Sequence, residues 1–112
     1  MKMESLKNPQ FREVYAKGKS KADYCIAIYI LENDLSVSRL GITVSKKIGN
    51  SVVRSRVKRI IKEACRLHED VFMSGFDIVI VARRAAKYKK STDMEISLLR
   101  LGKTLGFLKG NG

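Results

Sequence analysis

The chain has 112 residues and a mass of 12.6 kDa, about the length of one domain, and its 45% hydrophobic content can fill a single core without staples. Lys and Arg total 23 against 11 Asp and Glu, a formal net charge of +12, and repulsion of that size points to a polyanionic partner: RNA, DNA or an acidic membrane surface. No window approaches the roughly 18 apolar residues of a membrane span, and the polar start carries no apolar signal-peptide core, so a soluble cytoplasmic protein is expected.

Composition is even, with no repeat or linker, so one domain is expected over residues 1–112, with 109–112 as a disordered tail. The first predicted helix has Pro9 in its first turn, Asn8 as cap, Phe11, Val14 and Tyr15 on one face and Gly18 as its stop. Two short apolar runs follow, from Tyr24 to Leu31 and from Ser38 to Val44, around the turn composition Glu32-Asn33-Asp34. They predict an antiparallel hairpin with Ile26, Ile28 and Ile30 on one face and Cys25, Ala27, Tyr29 and Leu31 on the other.

After Gly49 and Asn50 the period becomes helical and stays so to about His68. The β-branched run Phe76 to Ala82 predicts a strand buried on both faces. A last helix is expected from Ser91 or Thr92 to Leu108, with Leu98, Leu101, Leu105 and Leu108 spaced by three and four. Helix, two or three strands, helix, strand and helix make an α+β or α/β sandwich on one mixed sheet.

The second helix carries the chemistry. On a wheel of about 100° per residue, Lys58, Lys62, Arg66 and Arg59 lie within about 140° of Arg54, and Arg56 falls near 200°. Leu67, Ile60, Val53, Ala64, Val57 and Ile61 fill the opposite, core-facing side. Only Glu63 offsets six cations between Arg54 and Arg66, and the like-charged i, i+4 row is self-repulsive. Lys46 and Lys47 lie on the loop before the helix N-terminus, where free N–H groups add anion affinity. The mix of Arg and Lys, with few base-reading amides, suits clamping of a phosphate backbone.

The stretch from Ser45-Lys46-Lys47 through Gly49-Asn50, Arg54, Arg56, Lys58-Arg59 and Lys62-Glu63 to Ala64 closely resembles the signature of the protein subunit of bacterial ribonuclease P. It departs at Ser51 for Ala, at Ser55 for Asn and at Lys62 for Arg, where the charge stays but bidentate geometry is lost. The resemblance continues in Phe11-Arg12-Glu13-Val14-Tyr15, in Arg39 to Ser45 and in Gly75 to Arg83. The longer basic lead common in the family is missing, and Ala85 stands where a proline often follows the strand.

This resemblance implies an α+β sandwich of order α-β-β-β-α-β-α, in which the second helix joins two parallel strands by a left-handed crossover, against the usual hand. It implies a protein that binds a catalytic RNA while that RNA, with Mg²⁺, hydrolyses the phosphodiester at the 5′ end of precursor tRNA. The residues it assigns to the catalytic RNA are Lys46, Lys47, Asn50, Arg54, Arg56, Lys58, Arg59, Lys62 and Arg66. Phe11, Tyr15 and Tyr29 match positions in a cleft for the single-stranded 5′ leader, where aromatic rings beside cations offer faces for bases to stack on.

The residues themselves offer no catalytic set. His68 and Cys65 stand at i, i+3 beside Glu69 and Asp70, but a closed zinc site needs four ligands and Cys25 is the only other thiol, so a helix-end cap and a core thiol are expected. Gly18-Lys19-Ser20 and Gly102-Lys103-Thr104 lack the leading glycine of a phosphate loop. No dedicated metal or cofactor site is therefore expected. The competing reading is a structural RNA-binding protein such as a small ribosomal protein. DNA is disfavoured because no second helix precedes the basic one closely enough for a helix-turn-helix, and a membrane surface because the aliphatic face is needed as core.

Overall fold

The computed structural model describes residues 3–109. Its elements in chain order are β1 (Glu4–Ser5), α1 (Asn8–Lys17), β2 (Lys19–Ala22), β3 (Ile26–Glu32), β4 (Arg39–Thr43), α2 (Ser51–Leu67), β5 (Phe76–Ala82) and α3 (Ser91–Leu105). The five strands form one mixed sheet in the order β1-β4-β5-β3-β2.

A strand apolar on both sides needs a neighbour at each edge and cover on each face, and β5 takes that central place. It pairs antiparallel with β3, from Ile26↔Ala82 to Glu32↔Phe76, and parallel with β4, from Arg39↔Asp77 to Thr43↔Val81. The expected hairpin between β3 and β4 therefore does not form, because β5 lies between them. The connection is an ordered loop: Asn33 accepts the Leu35 N–H and donates to Asp77 at 2.8 Å on the far side of the junction. The hairpin that does form joins β2 to β3.

Ile26, Ile28, Ile30, Ile78 and Ile80 point to the face covered by α2 and α3, where Val57, Ile61 and Leu98 meet them. The opposite face carries Val79 against Leu6 and Val14 of the N-terminal segment, with Phe11, Tyr29, Leu31 and Val81 packed around them. Cys25 departs from its expected face. Asp23 Oδ1 accepts the N–H groups of both Cys25 and Ile26, so the chain turns before β3 begins and Cys25 is buried in the same core as Ile26. Both cysteines are free and buried.

Two helix ends differ from expectation by their local hydrogen bonds. The cap of α1 is Lys7, whose N–H is taken by Gln10 Oε1 at 2.7 Å, and Asn8 is already helical. The third helix stops at Leu105 because Gly106 turns left-handed at φ 89°, and Leu108 instead bridges to Phe72. Lys109 donates its N–H to the Val71 carbonyl at 2.7 Å, and the rest of the expected tail, residues 110–112, lies outside the described residues.

Where β4 meets β5, Arg39 forks onto Asp77 with two bonds of 2.7 Å, and the Asp77 carboxylate also accepts from Asn33. That carboxylate is buried, so removing either charged partner would cost about 3–5 kcal/mol. The pair locks the register of the two parallel strands that α2 connects.

Candidate nucleic-acid interface

The start of α2 is set by Asn50, whose side chain accepts the Val53 N–H at 3.0 Å. Asn50 thus has a capping task beside the RNA contact implied for it. Val57, Ile61, Ala64 and Cys65 are buried on the inner face. Leu67, expected with them, is the last residue of the helix and is 49% exposed.

Turned outward are Lys58, Arg59, Lys62 and Arg66, and none of the first three makes an ion pair among the described residues. Arg66 bonds Glu63 at 2.9 Å, an exposed pair that leaves most of its donors free. Arg54 is half-buried and uses Nε to hold the Gly49 carbonyl at 3.2 Å, bracing the loop before its own helix. Lys46 and Lys47 are exposed on a short 3₁₀ turn that is anchored by the buried side chain of Ile48.

Arg56 differs from its neighbours. Its guanidinium donates to the carbonyls of Lys87 and Lys89, at 3.5 and 2.6 Å, so it pins the segment between β5 and α3. The structure also brings in cations that the reading of the helix overlooked. Arg83 and Arg84, at the exit of β5, line a concavity of about 620 Å³ with Lys47, Ser45 and the almost fully exposed Tyr24. The available signal was positional: parallel strands present their carboxyl ends, and the N-terminus of the following helix, at one side of a sheet.

The three aromatic residues meet on the opposite face of the sheet. Tyr15 stands edge-on to Tyr29 with centroids 5.0 Å apart, and Phe11 is 6.5 Å from Tyr15. Tyr15 is 43% exposed and its hydroxyl lies 3.4 Å from Thr43 Oγ1. Phe11 packs over Gly41, where any Cβ would collide with the ring, so the missing side chain on β4 is what lets α1 approach. Phe11 and Tyr29 are each partly buried against Leu6, Val14 and Val79, so the rings combine packing with an open aromatic surface.

His68 caps α2 and bonds Glu95 of α3 at 2.8 Å, not the neighbouring Glu69 or Asp70. Burial pushes the Cys65 thiol up to about 12, so it stays protonated and inert at neutral pH. Among the described residues no cluster of three or more His, Cys, Asp or Glu could hold a metal ion, and no helix is long and apolar enough to cross a membrane.

A family model described as Ribonuclease P matches residues 2–106. The ribonuclease P protein component of Lachnoclostridium phytofermentans is 50% identical over 101 residues, spanning 89% of this chain and 87% of that one. That of Alkaliphilus metalliredigens is 50% identical over 95 residues, spanning 85% and 86%. Among solved structures, the ribonuclease P protein of Staphylococcus aureus superposes with a TM-score of 0.85 at 33% identity, covering 97% of this chain and all of that one. The Thermotoga maritima ribonuclease P protein gives 0.78 at 28% identity over 87% and 93%. The basic helix, the sheet order and these matches along nearly the whole length agree, and the chain belongs to the ribonuclease P protein family.

Proposed function

We infer that the outward face of α2, with Lys46 and Lys47, clamps phosphates of the catalytic RNA, and that Phe11, Tyr15 and Tyr29 hold the single-stranded 5′ leader of precursor tRNA. Membership of the family makes the chain a component of an endoribonuclease and the partner of its RNA, in place of a small ribosomal protein. The observation that carries the reading is the row Lys58, Arg59 and Lys62, which is exposed and has no acidic partner among the described residues. Cations held in a row without internal neutralisation gain most from an external polyanion.

In this reading the protein binds and orients, and the RNA with Mg²⁺ performs the hydrolysis. No step is assigned to a side chain of this protein, and Mg²⁺ is assigned to the holoenzyme and not to a site on the chain. Asn50, Arg54 and Arg56 support the face by capping α2, bracing the preceding loop and anchoring the segment after β5. Precursor tRNA is the substrate, DNA and membranes are not partners, and the compartment is the cytoplasm, where tRNA is matured in bacteria. Reconstitution tests this. Rigorously RNA-free protein should leave precursor tRNA intact, while its addition to the catalytic RNA should permit cleavage at lower Mg²⁺. Cleavage at the mature 5′ end by the protein alone would overturn the reading.

A further inference from the structure

Beside the outward row of α2 lies a groove of about 400 Å³, within the size range of small-ligand sites, that phosphate clamping leaves unused. Its floor is apolar, built from Met3, Leu6, Leu40 and Ile42. One wall is α2 itself, where Lys58, Lys62 and Arg66 follow one another at i, i+4. The lining also holds two carboxylates, Glu4 from β1 and Glu69 from the turn after α2, and the ring of Phe11, which the groove shares with the aromatic surface.

These features belong together in one ligand class. A face that binds phosphates alone has no need of an apolar floor. A purely apolar occupant would have no use for three cations along its side. A nucleotide combines a flat, largely apolar base, a polar base edge and an attached phosphate. Proteins that read RNA take up bases splayed out of single-stranded loops and bulges and bond their edges.

We propose that this groove receives one unstacked nucleotide of the catalytic RNA, with the phosphate on Lys58, Lys62 and Arg66 and the base on the floor of Met3, Leu6, Leu40 and Ile42. The proposal rests on the RNA-binding reading above. An ionised carboxylate only accepts hydrogen bonds, so Glu4 and Glu69 select a base with an exocyclic amino group. Guanine, with adjacent ring N–H and amino donors, suits a carboxylate best, and uracil, which has no amino group, suits it least.

Ser5 is exposed, lines the groove and lies outside the cationic row, so Ser5→Trp fills the space without removing a charge. The affinity of the full-length protein for the catalytic RNA should fall about tenfold, the size of one lost base contact, while the slope of log affinity against log salt stays unchanged. In the wild-type protein alone, guanosine monophosphate should shift the NMR amide signals of Leu40 and Ile42, uridine monophosphate should shift them less, and inorganic phosphate should leave them in place. This second measurement decides the matter if Ser5→Trp fails to fold. A folded Ser5→Trp protein that binds the RNA as tightly as wild type would overturn the proposal and leave the groove to a non-RNA occupant such as a protein segment. So would inorganic phosphate reproducing the nucleotide shifts. Failure of the wild-type protein to bind the RNA at all would instead overturn the parent reading, and this proposal with it.

Discussion

The Arg56 guanidinium donates to the Lys89 carbonyl at 2.6 Å, which ties the middle of α2 to the segment leading into α3. Arg56, like Arg54 at the start of the helix, is therefore part of the scaffold. Arg56→Ala should lower folding stability by about 1.5–3 kcal/mol, the scale of a charged hydrogen bond. It should shallow the salt dependence of RNA binding less than Arg59→Ala does. Chemical denaturation of both variants, beside RNA titrations, checks this, and an Arg56→Ala protein of wild-type stability would contradict it.

The Asp23 carboxyl sets a pH dependence. Burial pushes its pKa up, but hydrogen bonds from the Ser97 side chain, the Ile26 and Cys25 N–H groups and Arg100 outweigh this and hold it below its ordinary 3.8. A depressed folded-state pKa contributes stability that is fully present above the unfolded value and is lost as pH falls through the folded one. Below about pH 4 the wild-type melting temperature should therefore fall more steeply than that of Asp23→Asn, which has already lost the contribution. Parallel acid limbs for the two proteins would contradict the assignment.

Gly41 and Phe11 form the contact that seats α1 on the sheet. Gly41→Ala should drive the ring out of place, at a stability loss of about 1–3 kcal/mol typical of overpacking. The disturbance should reach the aromatic surface and spare the α2 face. Precursor tRNA affinity of the holoenzyme should fall more than affinity for the catalytic RNA, which Phe11 meets only at the groove beside α2. An equal loss of both would indicate general unfolding, which a melting curve identifies.

Tyr29 separates stacking from packing. In a folded Tyr29→Ala protein, holoenzyme binding of precursor tRNA should weaken by about 1–3 kcal/mol for the lost platform. Mature tRNA, which has no leader, should bind as before. An unchanged precursor-to-mature affinity ratio would remove Tyr29 from the leader surface.

What was legible in the sequence follows how local each determinant is. The second helix could be read almost to the residue, because its period, the Gly49-Asn50 break before it and its cationic row all lie within one segment. The two-faced burial of Phe76–Ala82 likewise needs only its own β-branched run. Strand pairing is not local: β3 and β4 looked like a hairpin because nothing in either run announces that β5, more than 30 positions after β4, inserts between them. The two residues of β1 have no periodicity at all and are a strand only because β4 pairs with them. Arg56 fell at the border of the two faces on the wheel, and the carbonyls that decide its role lie 31 and 33 positions away. Phe11 and Tyr15 share a helix face by i, i+4 spacing, whereas Tyr29 joins them only through the packing of α1 on the sheet.

The central claim is that the outward face of α2 and the preceding loop neutralise phosphates of the catalytic RNA. Titrating protein with that RNA over a range of salt concentrations tests it most directly. If about five phosphates are neutralised, log affinity should fall against log salt with a slope of roughly −3.5 to −4.5. Each of Lys58→Ala, Arg59→Ala and Lys62→Ala should reduce that slope by about 0.7 to 0.9. A flat salt dependence, or a triple variant with the wild-type slope, would contradict the account.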